Sequence, residues 1–176
     1  LQKHYIFNSA NINTMNYGVP QNRKRSIFLL TKKTQKLKWN FPKEDGKVIT
    51  LEDSIGHLPS IDPLVSDISY KEHLKIFPDY EKKLQKALSI SPFFKPVSHV
   101  YRQVYALMHT PSGKSAFQNP SKYIPQKKNG QPVKGFKNTY KRMSWKKPCN
   151  TITTYNRTIG SQENVHPGRF IKYNTD

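Results

Sequence analysis

The sequence predicts an irregular α+β fold with a short sheet, one or two helices and long basic loops. Two observations carry that expectation. Short apolar runs of strand length, at residues 4–7 and 26–30, stand beside longer segments with helical spacing, at 79–90 and 98–109. Thirteen prolines and eight glycines spread along 176 residues imply many turns and few long elements. A hydrophobic share of 35%, with 12% aromatics, suffices for a modest core and argues against disorder.

In chain order, His4-Tyr5-Ile6-Phe7 and Ser26-Ile27-Phe28-Leu29-Leu30 read as two strands. Gly18-Val19-Pro20 between them reads as a turn, because proline fixes φ and pushes its predecessor toward extended geometry. Thr31 to Pro42 is a lysine-rich crossover. Thr50-Leu51-Glu52-Asp53 predicts a helix start, with a hydroxyl cap and acids in the first turn. Gly56 and Pro59 keep that helix short. Asp79 to Ile90 is the best helix, capped by Asp79, with Tyr80, Leu84 and Leu88 recurring on one face. Ser98 to His109 is a second helix, striped by Val100, Val104, Leu107 and Met108. Either stripe could serve a partner, but core packing is the simpler use. Residues 110–138 read as loop, and Thr151-Ile152-Thr153 has strand character.

The formal net charge of +19 points to a polyanion partner, or else to general lysine enrichment. Its distribution favours the first. Residues 1–50 hold ten basic and two acidic groups, residues 51–91 five and seven, and residues 92–176 fifteen and two. A general bias would not gather the acids into one block. The two ends therefore read as a nucleic-acid-facing surface and the middle as a structural insert. One cysteine excludes an internal disulfide and fits a reducing cytoplasm, and no stretch approaches a membrane span.

Arg23 and Arg25 stand at i, i+2 before the strand at 26–30, a spacing that turns both side chains to one face. Planar guanidinium forks suit phosphates and base edges, though a solvated basic turn has the same composition. Asn156 and Arg157 follow the strand at 151–153, where asparagine can pair adenine and arginine guanine; an ordinary hairpin tip is the plainer reading.

The run Tyr17-Gly18-Val19-Pro20-Gln21-Asn22-Arg23-Lys24-Arg25 resembles the Gln-x-Arg-x-Arg motif of DNA (cytosine-5) methyltransferases, with the family's Asn-x-x-x-Tyr lead-in from Asn13. Arg142-Met143-Ser144-Trp145-Lys146-Lys147-Pro148, Thr151-Ile152-Thr153 and Val165-His166-Pro167 resemble the block that follows it in the same family. The resemblance implies three parts: residues 1–31 ending the catalytic sheet, 32–141 a target recognition domain, and 142–176 the bordering block. It implies that Arg25 meets the flipped cytosine and Arg23 the backbone near it, as extruding a base requires. It further implies DNA contacts by Gln21, which positions the turn, and by Arg142, Thr151, Ile152, Asn156 and Arg157.

The chain departs from the family where chemistry is done. It has no glycine-rich loop for S-adenosylmethionine and no Pro-Cys-Gln nucleophile upstream of the arginines. The expectation is a piece of a bacterial, cytoplasmic restriction–modification enzyme. Alone it would be monomeric, bind double-stranded DNA but no cofactor, and methylate nothing. The alternative is a non-enzymatic basic module of ribosomal or RNA-binding type. Pro148-Cys149 lies downstream of the arginines, so Cys149 reads as a packing residue. Gly113-Lys114-Ser115 lacks the upstream glycine of a phosphate loop, and Glu163 stands in the wrong block for the family's acid. The histidines show no metal-ligand spacing.

Overall fold

The computed structural model describes residues 3–152, 159–160, 163 and 165–168. Strands β1 (Tyr5–Asn13) and β3 (Lys24–Lys32) form an antiparallel ribbon in register from Tyr5↔Lys32 to Asn13↔Lys24. Both strands are longer than their apolar runs. Cross-strand pairing recruits Asn8, Ser9 and Asn11, which hydrophobic periodicity cannot assign. Between them come a one-turn 3-10 helix (Thr14–Tyr17), Gly18 in the left-handed region at φ 72°, and β2 (Gln21–Asn22).

Helix α1 (Leu51–Ile55) starts in a capping box, with the Thr50 side chain on the Asp53 N–H and the Asp53 carboxylate on the Thr50 N–H. After β4 (Leu64–Val65) comes α2 (Tyr70–Ile76), unforeseen from the sequence. Its signal was legible: Ser69 and Glu72 form a second reciprocal box. Helix α3 (Tyr80–Ile90) has the expected bounds, but the Asp79 side chain makes no cap hydrogen bond. Its buried face is Tyr80 and Ala87, with Leu84 packed alongside, while Leu88 is exposed. The expected second helix begins late. Ser98–His99 is β5, paired parallel with β4, and α4 spans Tyr101–Met108. The Asp67 carboxylate accepts the Tyr101 N–H at 2.6 Å, which satisfies one donor at the start of α4. The short β6 (Cys149–Asn150) pairs parallel with β2.

The α+β expectation holds, but its inventory needs correction. Among the described residues there are four α-helices and three two-stranded sheets, instead of one or two helices and one short sheet. Three buried clusters hold them together. Val65, Phe77, Tyr80, Val104 and Met108 join β4, α2, α3 and α4. Ala106, Leu107, Ala116, Tyr140 and Val165 occupy another side of α4. Leu51, Met143 and Cys149 tie α1 to β6. Helix α4 therefore packs on two sides, which explains why its apolar stripe spreads over Val104, Ala106, Leu107 and Met108. The β1–β3 ribbon contributes to none of these clusters, and Phe7, Phe28 and Leu30 share an exposed face on it. The rings of Phe7 and Phe28 stack there at 5.7 Å.

His73 is buried among the rings of Tyr70, Phe77 and Tyr80, and neither of its ring nitrogens has a hydrogen-bond partner among the described residues. Burial pushes its pKa below 6.5, against a weaker opposing pull from Asp62, whose carboxylate is paired with Lys83 at 2.8 Å. The unfolded chain thus takes up the proton first, and stability should fall as pH drops below 6.5, by at most about 1.4 kcal/mol per pH unit. His99 is shifted in the same direction and adds to the slope. Thermal unfolding of His73→Phe between pH 7.5 and 5 should show a smaller acid loss than the parent. An unchanged loss would remove His73 as the source.

Candidate nucleic-acid interface

The arginine loop is built around Asn13, the lead-in asparagine of the motif. Its Oδ1 accepts the N–H groups of Met15 at 3.5 Å and Arg23 at 3.0 Å, and its Nδ2 donates to Asn22 Oδ1 at 2.8 Å. The Thr14 N–H donates to the Arg23 carbonyl at 3.1 Å, and the Thr14 hydroxyl to the Gln21 carbonyl at 2.6 Å. One asparagine thus caps the 3-10 turn and seats the arginine backbone. From outside, the Asn16 side chain donates to Glu44 at 2.9 Å and its carbonyl accepts the Asp45 N–H at 2.8 Å.

The loop is joined to chain more than a hundred residues away. The β2–β6 pairing sets Gln21 beside Cys149 and Asn22 beside Asn150. The Cys149 N–H donates to the Pro20 carbonyl at 2.9 Å, and the Thr151 hydroxyl to the Asn22 carbonyl at 3.4 Å. The two motif blocks therefore meet along one short parallel ladder. Around it Arg25 and Ile152 are exposed, while Arg23 and Thr151 are half-buried. Among the described residues Arg25 donates only to the neighbouring Lys24 carbonyl, at 2.7 Å, which leaves most of its guanidinium donors without a partner there. The Arg23 side chain has no hydrogen-bond or ion-pair partner among the described residues. Asn156 and Arg157 lie outside the described residues.

Gln21 is half-buried, and its backbone pairs with Cys149 in the ladder, in keeping with a residue that positions the turn. One expected DNA contact is corrected by this geometry. Arg142 is fully buried, at 0% exposure. Its guanidinium donates to the carbonyls of Thr110 at 2.7 Å, Leu107 at 2.7 Å and His166 at 2.6 Å. It lies at the C-terminal end of α4, where the helix carbonyls lack intrahelical donors and cations are favoured. Burial pulls its pKa down to about 9, so it stays protonated at neutral pH. Other members of the block pack inside too, although Lys146 and Lys147 are exposed. Val165 pairs with Arg142, Trp145 meets His166 edge-on at 5.2 Å, and a Cβ at Gly168 would lie 2.8 Å from the Trp145 ring.

Cys149 is buried, and burial raises its thiol pKa, the opposite of what a nucleophile needs. No group of three potential metal ligands and no helix long and apolar enough to cross a membrane occurs among the described residues. Arg23, Arg25, Ile152 and the exposed asparagines at 22 and 150 make a basic, hydrogen-bonding surface with no nucleophile in it.

The family model for C-5 cytosine-specific DNA methylase matches residues 3–175. Type II methyltransferase M1.HgaI of Avibacterium volantium is 37% identical over 158 residues, which is 90% of this chain and 37% of that protein. Type II methyltransferase M.MthTI of Methanothermobacter thermautotrophicus is 41% identical over 71 residues, 40% of this chain and 21% of that protein. The chain thus spans little more than a third of the first relative's length. No solved structure matches it.

Proposed function

The chain belongs to the C-5 cytosine-specific DNA methylase family, and on that premise we propose that it is the DNA-binding and target-reading portion of an enzyme that methylates C5 of cytosine in duplex DNA. The observation that carries this is the β2–β6 ladder, which brings the arginine loop and the Thr151-Ile152 segment to one surface. Arg25 holds the flipped cytosine, and Arg23 the displaced backbone beside it, through fork-shaped donors suited to base edges and phosphates. Thr151 and Ile152 border the duplex, and Asn156 and Arg157 read base edges. Residues 32–141 form the recognition domain, and the β1–β3 ribbon ends the catalytic sheet. The setting is the cytoplasm of a prokaryote with a restriction–modification system, as the Type II relatives suggest. No match supports an RNA-binding or ribosomal alternative.

The methyl donor, S-adenosylmethionine, carries a sulfonium cation and a ribose diol, both of which carboxylates hold well. The two cavities at the end of the ribbon are lined by His4, Tyr5, Lys32 and Thr34, and by Gln35, Lys36, Leu37, Lys38 and Trp39. Neither offers a carboxylate, and both carry lysine. These residues do not fit the donor.

The chain should bind duplex DNA with little sequence preference, at a Kd of about 10⁻⁴–10⁻⁶ M in physiological salt, and affinity should fall steeply as salt rises. It should transfer no methyl group by itself. Fluorescence anisotropy with a labelled duplex across a salt series checks the first statement. A flat salt profile would sink the DNA-facing assignment.

A further inference from the structure

We propose that Lys32, Lys33, Lys36 and Lys38, with the Trp39 indole beside them, form a second duplex contact that grips the sugar–phosphate backbone away from the target base. This rests on the DNA-binding reading above and extends it to the opposite end of the ribbon.

The charge there is uncompensated. Residues 1–43 contain no acid, and the first ones, Glu44 and Asp45, are tied to Asn16 beside the arginine loop. All four lysines are exposed, and none has an ion pair or side-chain hydrogen bond among the described residues. The strip is also held in place. The Lys33 N–H donates to the His4 carbonyl at 3.0 Å and the Gln35 N–H to the Lys32 carbonyl at 3.0 Å, which turns the chain back over the ribbon. The Trp39 N–H then donates to the buried Thr31 hydroxyl at 3.3 Å, and its carbonyl accepts from Asn8 Nδ2 at 3.1 Å. Asn8 and Thr31 lie on the same face of β1–β3.

The backbone of Trp39 is thus pinned from both strands while its side chain stays 65% exposed. Between Gln35 and Trp39 lies an open cavity of about 570 Å³. A large ring exposed among unpaired ammonium groups suits a polyanion that also offers apolar faces. Phosphates take the lysines, and deoxyribose or a base takes the indole. An acidic protein surface would meet the charge alone. Spacing also favours a duplex. Lys32 is seven residues along β3 from Arg25, about 24 Å at strand rise. That is roughly seven base pairs of the same helix, at about 3.4 Å per step.

The test compares the full chain with two variants, one carrying Lys→Gln at 32, 33, 36 and 38, and one carrying Lys→Arg at the same positions. Affinity is measured across salt for a duplex of about 20 base pairs, with Arg23→Gln/Arg25→Gln as a separate control. The glutamine variant should flatten the salt slope by about 0.9 for each phosphate it no longer neutralises, and the arginine variant should retain the parent slope. Duplex binding should also quench the fluorescence of a Trp145→Phe chain, whose indole is Trp39, and a Trp145→Phe/Trp39→Leu chain tests the assignment. Circular dichroism establishes that each variant is folded. If the glutamine variant keeps the parent slope while the Arg23/Arg25 control loses slope, the strip is no DNA contact and the arginine surface still stands. If the parent binds no duplex at all, both readings fall. Absence of Trp39 quenching by a duplex that binds would remove the indole from the contact.

Discussion

Arg142→Ala is expected to cost about 3–5 kcal/mol of stability, because it strips the donors from carbonyls of Leu107, Thr110 and His166 and leaves a hole in their place. In a chain of this size that lowers Tm by about 10 °C. Two segments distant from it in sequence converge on this one side chain, so the loss should loosen the end of α4 and the His166-Pro167 segment together. Arg142→Lys should recover only part of the loss, since one ammonium cannot reproduce a planar fork aimed at three acceptors. Urea and thermal unfolding measure this directly. If Arg142→Ala kept the parent Tm and lost DNA affinity instead, the side chain would be a surface contact and the buried geometry wrong.

The second large effect separates two arginines in the methyltransferase that contains this chain. Arg25→Ala should slow methylation about a hundredfold at every target without changing which sequence is preferred, because its proposed partner is the flipped cytosine common to all of them. Arg157→Ala should instead erode discrimination by about 1–3 kcal/mol at one base pair, the worth of a bidentate arginine–guanine contact. Initial rates on the cognate site and all its single-base variants decide the matter. A changed preference in Arg25→Ala would overturn its assignment. Equal slowing at every site by Arg157→Ala would make that residue a phosphate contact or a packing residue.

Features set by near neighbours were legible in the sequence. Thr50 with Asp53 made the predicted helix start, Gly18 took the positive φ of the turn, and the α3 bounds followed from spacing. Ser69 with Glu72 carries the same kind of signal for α2. Local signals also misled. Asp79 occupies a cap position without capping, and Ala87 is buried in α3 where Leu88 was expected. Which face of a helix is inside depends on what packs against it, and the spacing in α3 allowed either.

The candidate site divides in the same way. The sequence alone determined that this is a basic chain with an arginine loop, a distant matching block and a cysteine placed wrongly for attack. Only the tertiary structure decided that Gln21 pairs with Cys149, that Asn13 organises the loop, and that Arg142 is interior. The physical reason is range. Caps and turns are satisfied within a few residues, whereas an arginine can be buried only where distant carbonyls converge to receive it, and here they come from residues 107, 110 and 166.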